Sequence, residues 1–178
     1  MRNPGTWLLV AALCLGACAD TAADPEGSVD TATFDEAAAA EDLPAALAAG
    51  ERIADDLRAS LDVEPQAIEG VRPYRVSLCD EVRDDAPSLV SVGRGFAIPP
   101  ERIGDVVEQV RATFEAAGLD GVRVVGEDTD APLVTALFAD DTWQVSAMLN
   151  GRDGIGEIRV NSACLPGEVP EPPASSRP

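Results

Sequence analysis

Residues 99–118 read PPERIGDVVEQVRATFEAAG. Ile103, Val106, Val107, Val110, Phe114 and Ala117 recur at i, i+3, i+4 and i+7, the spacing of one apolar helix face. Pro99, Pro100 and Glu101 suit the first turn, where a missing N–H costs nothing. Gly118 followed by Leu119 is a Schellman-type stop. A helix with one apolar stripe must bury it, and the sequence on either side supplies strands to receive it.

Upstream, Val71–Cys79 alternates so that Tyr74, Val76 and Leu78 share a face. Asp84-Asp85-Ala86-Pro87 then makes a turn, and Leu89–Ile98 places Val90, Val92, Phe96 and Ile98 on one side. Gly93 and Gly95, around Arg94, predict a bulge in that strand. Downstream, strands are expected at Val122–Val125, Leu133–Ala139, Trp143–Leu149 and Ile155–Ala163. Asp140-Asp141 and Asn150-Gly151-Arg152-Asp153-Gly154 carry hairpin chemistry between them. Leu43, Leu47, Ala54, Leu57 and Leu61, with Ile53 beside them, mark an earlier helix over 43–61, weakest at Gly50. The predicted order is α-β-β-α-β-β-β-β. Four closing strands joined by tight turns make this an α+β domain, with a mainly antiparallel sheet of five to six strands and two helices packed on it.

Outside residues 43–165 the composition changes. Between Ala19 and Asp42 lie Asp20, Asp24, Glu26, Asp30, Asp35, Glu36, Glu41 and Asp42, with no basic residue and Phe34 the sole large side chain. So little apolar surface cannot offset ordering entropy, and residues 18–42 read as a disordered tether, compatible at most with a short helix near Ala37–Ala40. The Pro-rich stretch 166–178 reads as a disordered tail.

Charge narrows the function classes. The net charge is −19, from 32 acidic residues against 13 basic ones, and there is no histidine. All 13 basic residues are arginine. Nucleic acid and anionic lipid headgroups both demand basic patches, so neither is an expected partner. Without histidine there is no Ser–His–Asp triad, no Cys–His dyad and no histidine-bearing zinc site.

The start of the chain supplies an address. Met1–Cys18 reads MRNPGTWLLVAALCLGAC: one arginine, then an apolar run from Trp7 to Leu15. That run is too short to cross a bilayer, which takes about 20 residues. It has the length of a signal-peptide core. Leu15-Gly16-Ala17-Cys18 resembles the bacterial lipobox. The resemblance implies cleavage after residue 17, a diacylglyceryl thioether on Cys18, and anchoring at the outer face of the cytoplasmic membrane or on an outer membrane. More broadly, Cys18, Gly118, Trp143 and Ser162-Ala163-Cys164 give residues 43–165 a likeness to small secreted lipoproteins of high-GC Gram-positive bacteria. That class is mostly of unknown function, and the likeness implies no activity.

If residues 1–17 leave and lipid occupies Cys18, Cys79 and Cys164 remain as the free thiols of an oxidising compartment, and a disulfide between them is expected. The bond requires the ends of the first and last strands to be neighbours, so the closing strand is expected beside the opening one. By alternation Cys79 faces with Arg75 and Ser77, whereas Cys164 faces with Ile158 and Val160. A bulge, or a position just past the ladder, must reconcile the two.

Other residues are candidates for chemistry. Glu127-Asp128-Thr129-Asp130 has the oxygen ligands of a hard-cation site but no EF-hand spacing, and reads as a solvated turn; Asn150–Glu157 reads the same way. Asp84-Asp85 and Asp140-Asp141 are adjacent acids that diverge on a turn, unlike the facing carboxyls of a glycosidase. Arg94 is either an anion clamp, an exposed strand residue or an internal ion-pair partner. Trp143 is expected in the core. No cofactor or metal is expected. The expected function is a membrane-anchored, extracytoplasmic, non-enzymatic binding or accessory module. It is held by lipid on Cys18, with room for an envelope protein as partner. The rival is an envelope hydrolase working with carboxylates alone.

Overall fold

The computed structural model describes residues 31–68, 72–80 and 86–169. Helix α1 spans Thr31–Ala38 and α2 spans Leu43–Ala59. Strands β1 (Glu64–Pro65), β2 (Tyr74–Leu78) and β3 (Ser88–Ala97) follow. A 3₁₀ turn at Pro100–Arg102 leads into α3, Ile103–Ala116. Strands β4 (Asp120–Val125), β5 (Leu133–Phe138), β6 (Trp143–Asn150) and β7 (Ile155–Asn161) complete the domain. All pairings are antiparallel, in the order β1-β3-β7-β6-β5-β4, with β2 also pairing with β3. The fold is α+β, as its apolar periodicities require.

Local chemistry explains the helix ends. Asp42 caps α2, its Oδ1 accepting from the Ala45 N–H at 2.9 Å. At the other end of α3, Gly118 adopts φ +72°, the Gly118 N–H donates to the Glu115 carbonyl, and the Leu119 N–H reaches back to Phe114. That pair of bonds is the Schellman motif predicted there, with Leu119 buried as its apolar partner. The two prolines yield a 3₁₀ turn first, and the α-helix proper starts at Ile103.

Both long helices lie on one side of the sheet, α2 over β3 and β7 and α3 over β4, β5 and β6. Val90, Val92, Phe96, Val134, Ala136, Val145, Ala147, Ile158 and Val160 point into this layer and are buried. Gly50 leaves α2 continuous: it faces the sheet, where a Cβ would meet Val92 at 3.2 Å. Burial of that face outweighs the modest helix propensity of glycine.

Four expectations need correction. First, the span read as tether contains α1, whose Phe34 and Ala37 are buried and whose Glu36 pairs with Arg52 of α2. Phe34 stacks edge-on against Phe138 with ring centroids 5.1 Å apart. One aromatic anchor orders a segment that its composition alone would leave unfolded. Second, the chain stays on the domain past residue 165: the Pro166 carbonyl accepts from the Leu43 N–H at 2.9 Å, and Val169 packs against the core.

Third, β1 is an additional strand, in line with β2 along the same edge of β3. Fourth, Gly93 and Gly95 form no bulge, because β3 and β7 stay in register from Ser91↔Asn161 to Ala97↔Ile155. The glycines serve close approach instead. A Cβ at Gly93 would collide with the Glu157 carboxylate, and one at Gly95 with the Gln66 carbonyl and Ile68.

Candidate functional site

Cys79 and Cys164 are joined, with Cα atoms 6.1 Å apart, inside the range a disulfide spans. The topology differs from the expected one. β7 lies beside β3, not β2, so the bond reaches across the start of β3 between its two neighbours. Both cysteines sit just beyond their strands, and a bulge supplies the change of phase. The register pairs Ser91 with Asn161 and Ser88 with Leu165, three steps along β3 against four along the closing segment. Ser162 absorbs the extra residue. Its N–H donates to the Val90 carbonyl while its hydroxyl accepts from the Val90 N–H at 2.9 Å. A side-chain oxygen thus stands in the ladder where a backbone carbonyl would be. Cys164 thereby shares a concavity with Arg75 and Ser77.

The other candidates resolve individually. Cys18 and the Asp84-Asp85 turn lie outside the described residues. Glu127, Asp128 and Asp130 are exposed; the Thr129 hydroxyl donates to the Gly126 carbonyl, and Asp130 pairs with Arg152 at 3.1 Å. Asn150 closes its hairpin by accepting from the Asp153 N–H. Among the described residues no group of three or more His, Cys, Asp or Glu is placed to hold a metal ion.

Asp140 and Asp141, with Ala139, adopt positive φ at the β5–β6 turn, and both aspartates are exposed. Trp143 is buried and packs against Phe138 at 5.4 Å. Arg94 is an internal ion-pair partner on the helix side. Nε and Nη2 reach Asp55 Oδ1 and Oδ2 at 2.9 and 3.2 Å, and Glu51 lies 3.7 Å away. It fastens α2 to the sheet.

Sequence reasoning missed the opposite face of the sheet. With the helices all on one side, this face is bare among the described residues except where Ile68 lies over Gly95. Register assembles it from residues distant in sequence. Arg75, Ser91, Asn161 and Gln144 form one row across β2, β3, β7 and β6. Gly93, Arg159, Ser146, Thr135 and Arg123 form the next, from β3 to β4. Gly95, Glu157, Met148, Leu133 and Val125 form the third.

Glu157 is the buried acid of this face, its side chain only 8% exposed in the space the two glycines leave. Arg159 satisfies it with a two-pronged contact, Nη2 to Oε2 at 2.8 Å and Nε to Oε1 at 3.4 Å. The Asn161 amide donates to Gln144 Oε1 at 3.1 Å, and Gln144 in turn to the Thr135 hydroxyl at 3.4 Å.

Three of the concavities formed by the described residues open on or beside this face. One, of about 360 Å³, is largely apolar, lined by Ile68, Leu133, Met148 and Ile155 with Glu157 at its side. A second, of about 390 Å³, lies between the 65–68 segment and β3, again with Glu157. The third, of about 470 Å³, is polar and holds Arg75 and Arg159 with Asp141 as its carboxylate. Each presents one carboxylate. A pair of carboxyls flanking a bound substrate, as hydrolysis by acids alone requires, is not assembled in any of the three.

No protein-family model matches the chain, and no curated protein matches it. Among solved structures, a DUF4853 family protein from Actinomyces odontolyticus ATCC 17982 is similar over 64% of this chain, at 14% identity and a TM-score of 0.38. The match spans 59% of that structure's length, a likeness too slight to carry fold or function from one protein to the other.

Proposed function

We propose that this chain is an extracytoplasmic lipoprotein, held at the outer face of the cytoplasmic membrane by lipid on Cys18, whose α+β domain is a non-enzymatic binding or accessory module. The anchor rests on the signal-like start and Leu15-Gly16-Ala17-Cys18. Two or more acyl chains on one cysteine exceed what stable membrane attachment needs. Among the described residues no helix is long and apolar enough to cross a membrane.

The observation that carries the binding role is the one-sided packing of the domain. A sheet whose second face no helix of the described residues covers, with concavities opening on it, offers a surface for recognition. The partner is an envelope component within reach of the anchor. From Cys18 to Thr31 the chain spans at most about 45 Å when fully extended, which confines the domain to the neighbourhood of the membrane.

Photo-crosslinking in intact cells tests this. A photoreactive residue in place of Ser77 or Met148 on the bare face is expected to give discrete adducts, whereas one in place of Arg111 on α3 gives none. Those adducts should disappear with Cys18→Ala, which removes the anchor. Equal labelling from the two faces, or adducts indifferent to the anchor, would contradict the assignment.

A further inference from the structure

Charge is segregated between the two faces. The helix side and the loops carry most of the carboxylates of a chain with a net charge of −19. On the bare face, by contrast, the paired rows of the sheet place Arg75, Arg123 and Arg159 against two carboxylates, Glu157 and, at the β4 edge, Asp120. Two of these arginines, Arg75 and Arg159, line the same polar concavity of about 470 Å³. That volume is within the range of small-molecule sites, roughly 300–1,000 Å³.

The two guanidiniums are not equivalent. Arg159 gives Nε and Nη2 to Glu157, which fixes its plane, and no hydrogen bond among the described residues engages its Nη1. Arg75 is exposed and has no ion-pair partner among the described residues, whereas seven of the nine other described arginines have a carboxylate, Arg72 and Arg123 being the other exceptions. In so acidic a protein, an arginine outside any ion pair that shares a concavity with another, held by its own carboxylate, makes a receptor for an external oxyanion. Guanidinium forks match carboxylate and phosphate oxygens.

The rest of the lining is mainly hydrogen-bonding, with Ser77, Ser91, Thr142, Gln144 and Asn161, and it includes one carboxylate, Asp141. Such groups pair with ligand hydroxyls. Long-range repulsion from the acids of the helix layer is damped, because charges are screened over about 8 Å at physiological ionic strength.

We propose that the concavity between Arg75 and Arg159 binds a small hydroxylated oxyanion, a polyol or sugar bearing a carboxylate or a phosphate. The proposal rests on the reading of the bare face as a binding surface, and it names the ligand class. Isothermal titration of the full mature chain in nonionic detergent, at fixed ionic strength, tests it with four probes: glucuronate, glycerol 3-phosphate, glucose and glycerol.

At least one acidic probe is expected to bind saturably, and neither neutral one. Preference between the two acids tells carboxylate from phosphate. Arg75→Gln, a change at an exposed side chain, should weaken binding about ten-fold or more, as loss of a charge-assisted pair does. Arg123→Gln, on the same face but outside the concavity, should leave it unchanged. Absence of saturable binding by both acids, equal loss in the two variants, or binding that survives Arg75→Gln overturns the proposal. If the acids fail while bare-face adducts persist in cells, the oxyanion site falls and the binding module stands. If the adducts fail too, both fall.

Discussion

Removing the disulfide is expected to cost a large share of the domain's stability. Cys79 and Cys164 are 85 residues apart, so the bond closes a loop around most of the sheet. In the chain-entropy account, a loop of that length loses about 15 cal/mol/K in the unfolded state, or about 4.6 kcal/mol at 25 °C. A typical domain has only about 5–15 kcal/mol in total. For a folded unit of roughly 140 residues the unfolding entropy is about 0.3 kcal/mol/K, which converts the loss to a fall in Tm of about 15 °C.

Equilibrium urea unfolding of the wild type, with and without reductant, is the assay, beside the variant Cys79→Ser with Cys164→Ser. Reduced wild type and double variant should coincide, and the single variant Cys79→Ser should match both. A loss under about 1 kcal/mol would refute the reasoning. So would a reductant that leaves the wild-type midpoint in place.

Three further outcomes follow from particular contacts. Phe34→Ala should destabilise by about 3 kcal/mol by emptying the site against Phe138, read by urea midpoint; a surface-like change under 0.5 kcal/mol would mean α1 does not pack. Ser162→Ala leaves the Val90 N–H without its acceptor and should cost about 1–3 kcal/mol, with faster amide exchange at Val90 as its mark. Gly93→Ala puts a methyl where the Glu157 carboxylate lies and should be destabilising in the wild-type background. In a Glu157→Ala background it should cost at least about 1 kcal/mol less, and additive effects in the cycle would refute the steric account.

Much of the architecture is legible because the apolar pattern is regular. The 3.6-residue recurrence from Ile103 to Ala117 admits one face, and Gly118 is a residue a left-handed C′ position favours, so the helix and its end are set locally. Asn150-Gly151 and the alternation on either side fix a hairpin in the same way. What escaped detection depends on contacts between distant residues. Alanine and acid dominate the sequence of α1, and its folding turns on whether a single Phe34 finds a pocket, which sits on β5 more than 100 residues away.

Glycine in a strand is ambiguous between a bulge and close approach, and only the packing of Glu157 and Gln66 decides it. The bulge itself sits at Ser162, where a hydroxyl replaces a carbonyl in the ladder, and nothing in the sequence of a serine announces that. The candidate site was illegible for the same reason. Arg75, Ser91, Gln144 and Asn161 come from four strands, and only the sheet register makes them neighbours. Arg94, one strand position from Gly93, looked more promising in sequence and proves to be a fastener between α2 and the sheet.

The assignment of an anchored module depends first on Cys18. Intact-mass and N-terminal peptide mass spectrometry of the protein extracted from its own membranes measures that residue directly. The account predicts a mature chain beginning at Cys18, its N-terminal peptide heavier by a diacylglyceryl group, and no such species from Cys18→Ala. An unmodified Cys18 within a longer chain, or a mature terminus elsewhere with the protein still membrane-bound, would contradict it.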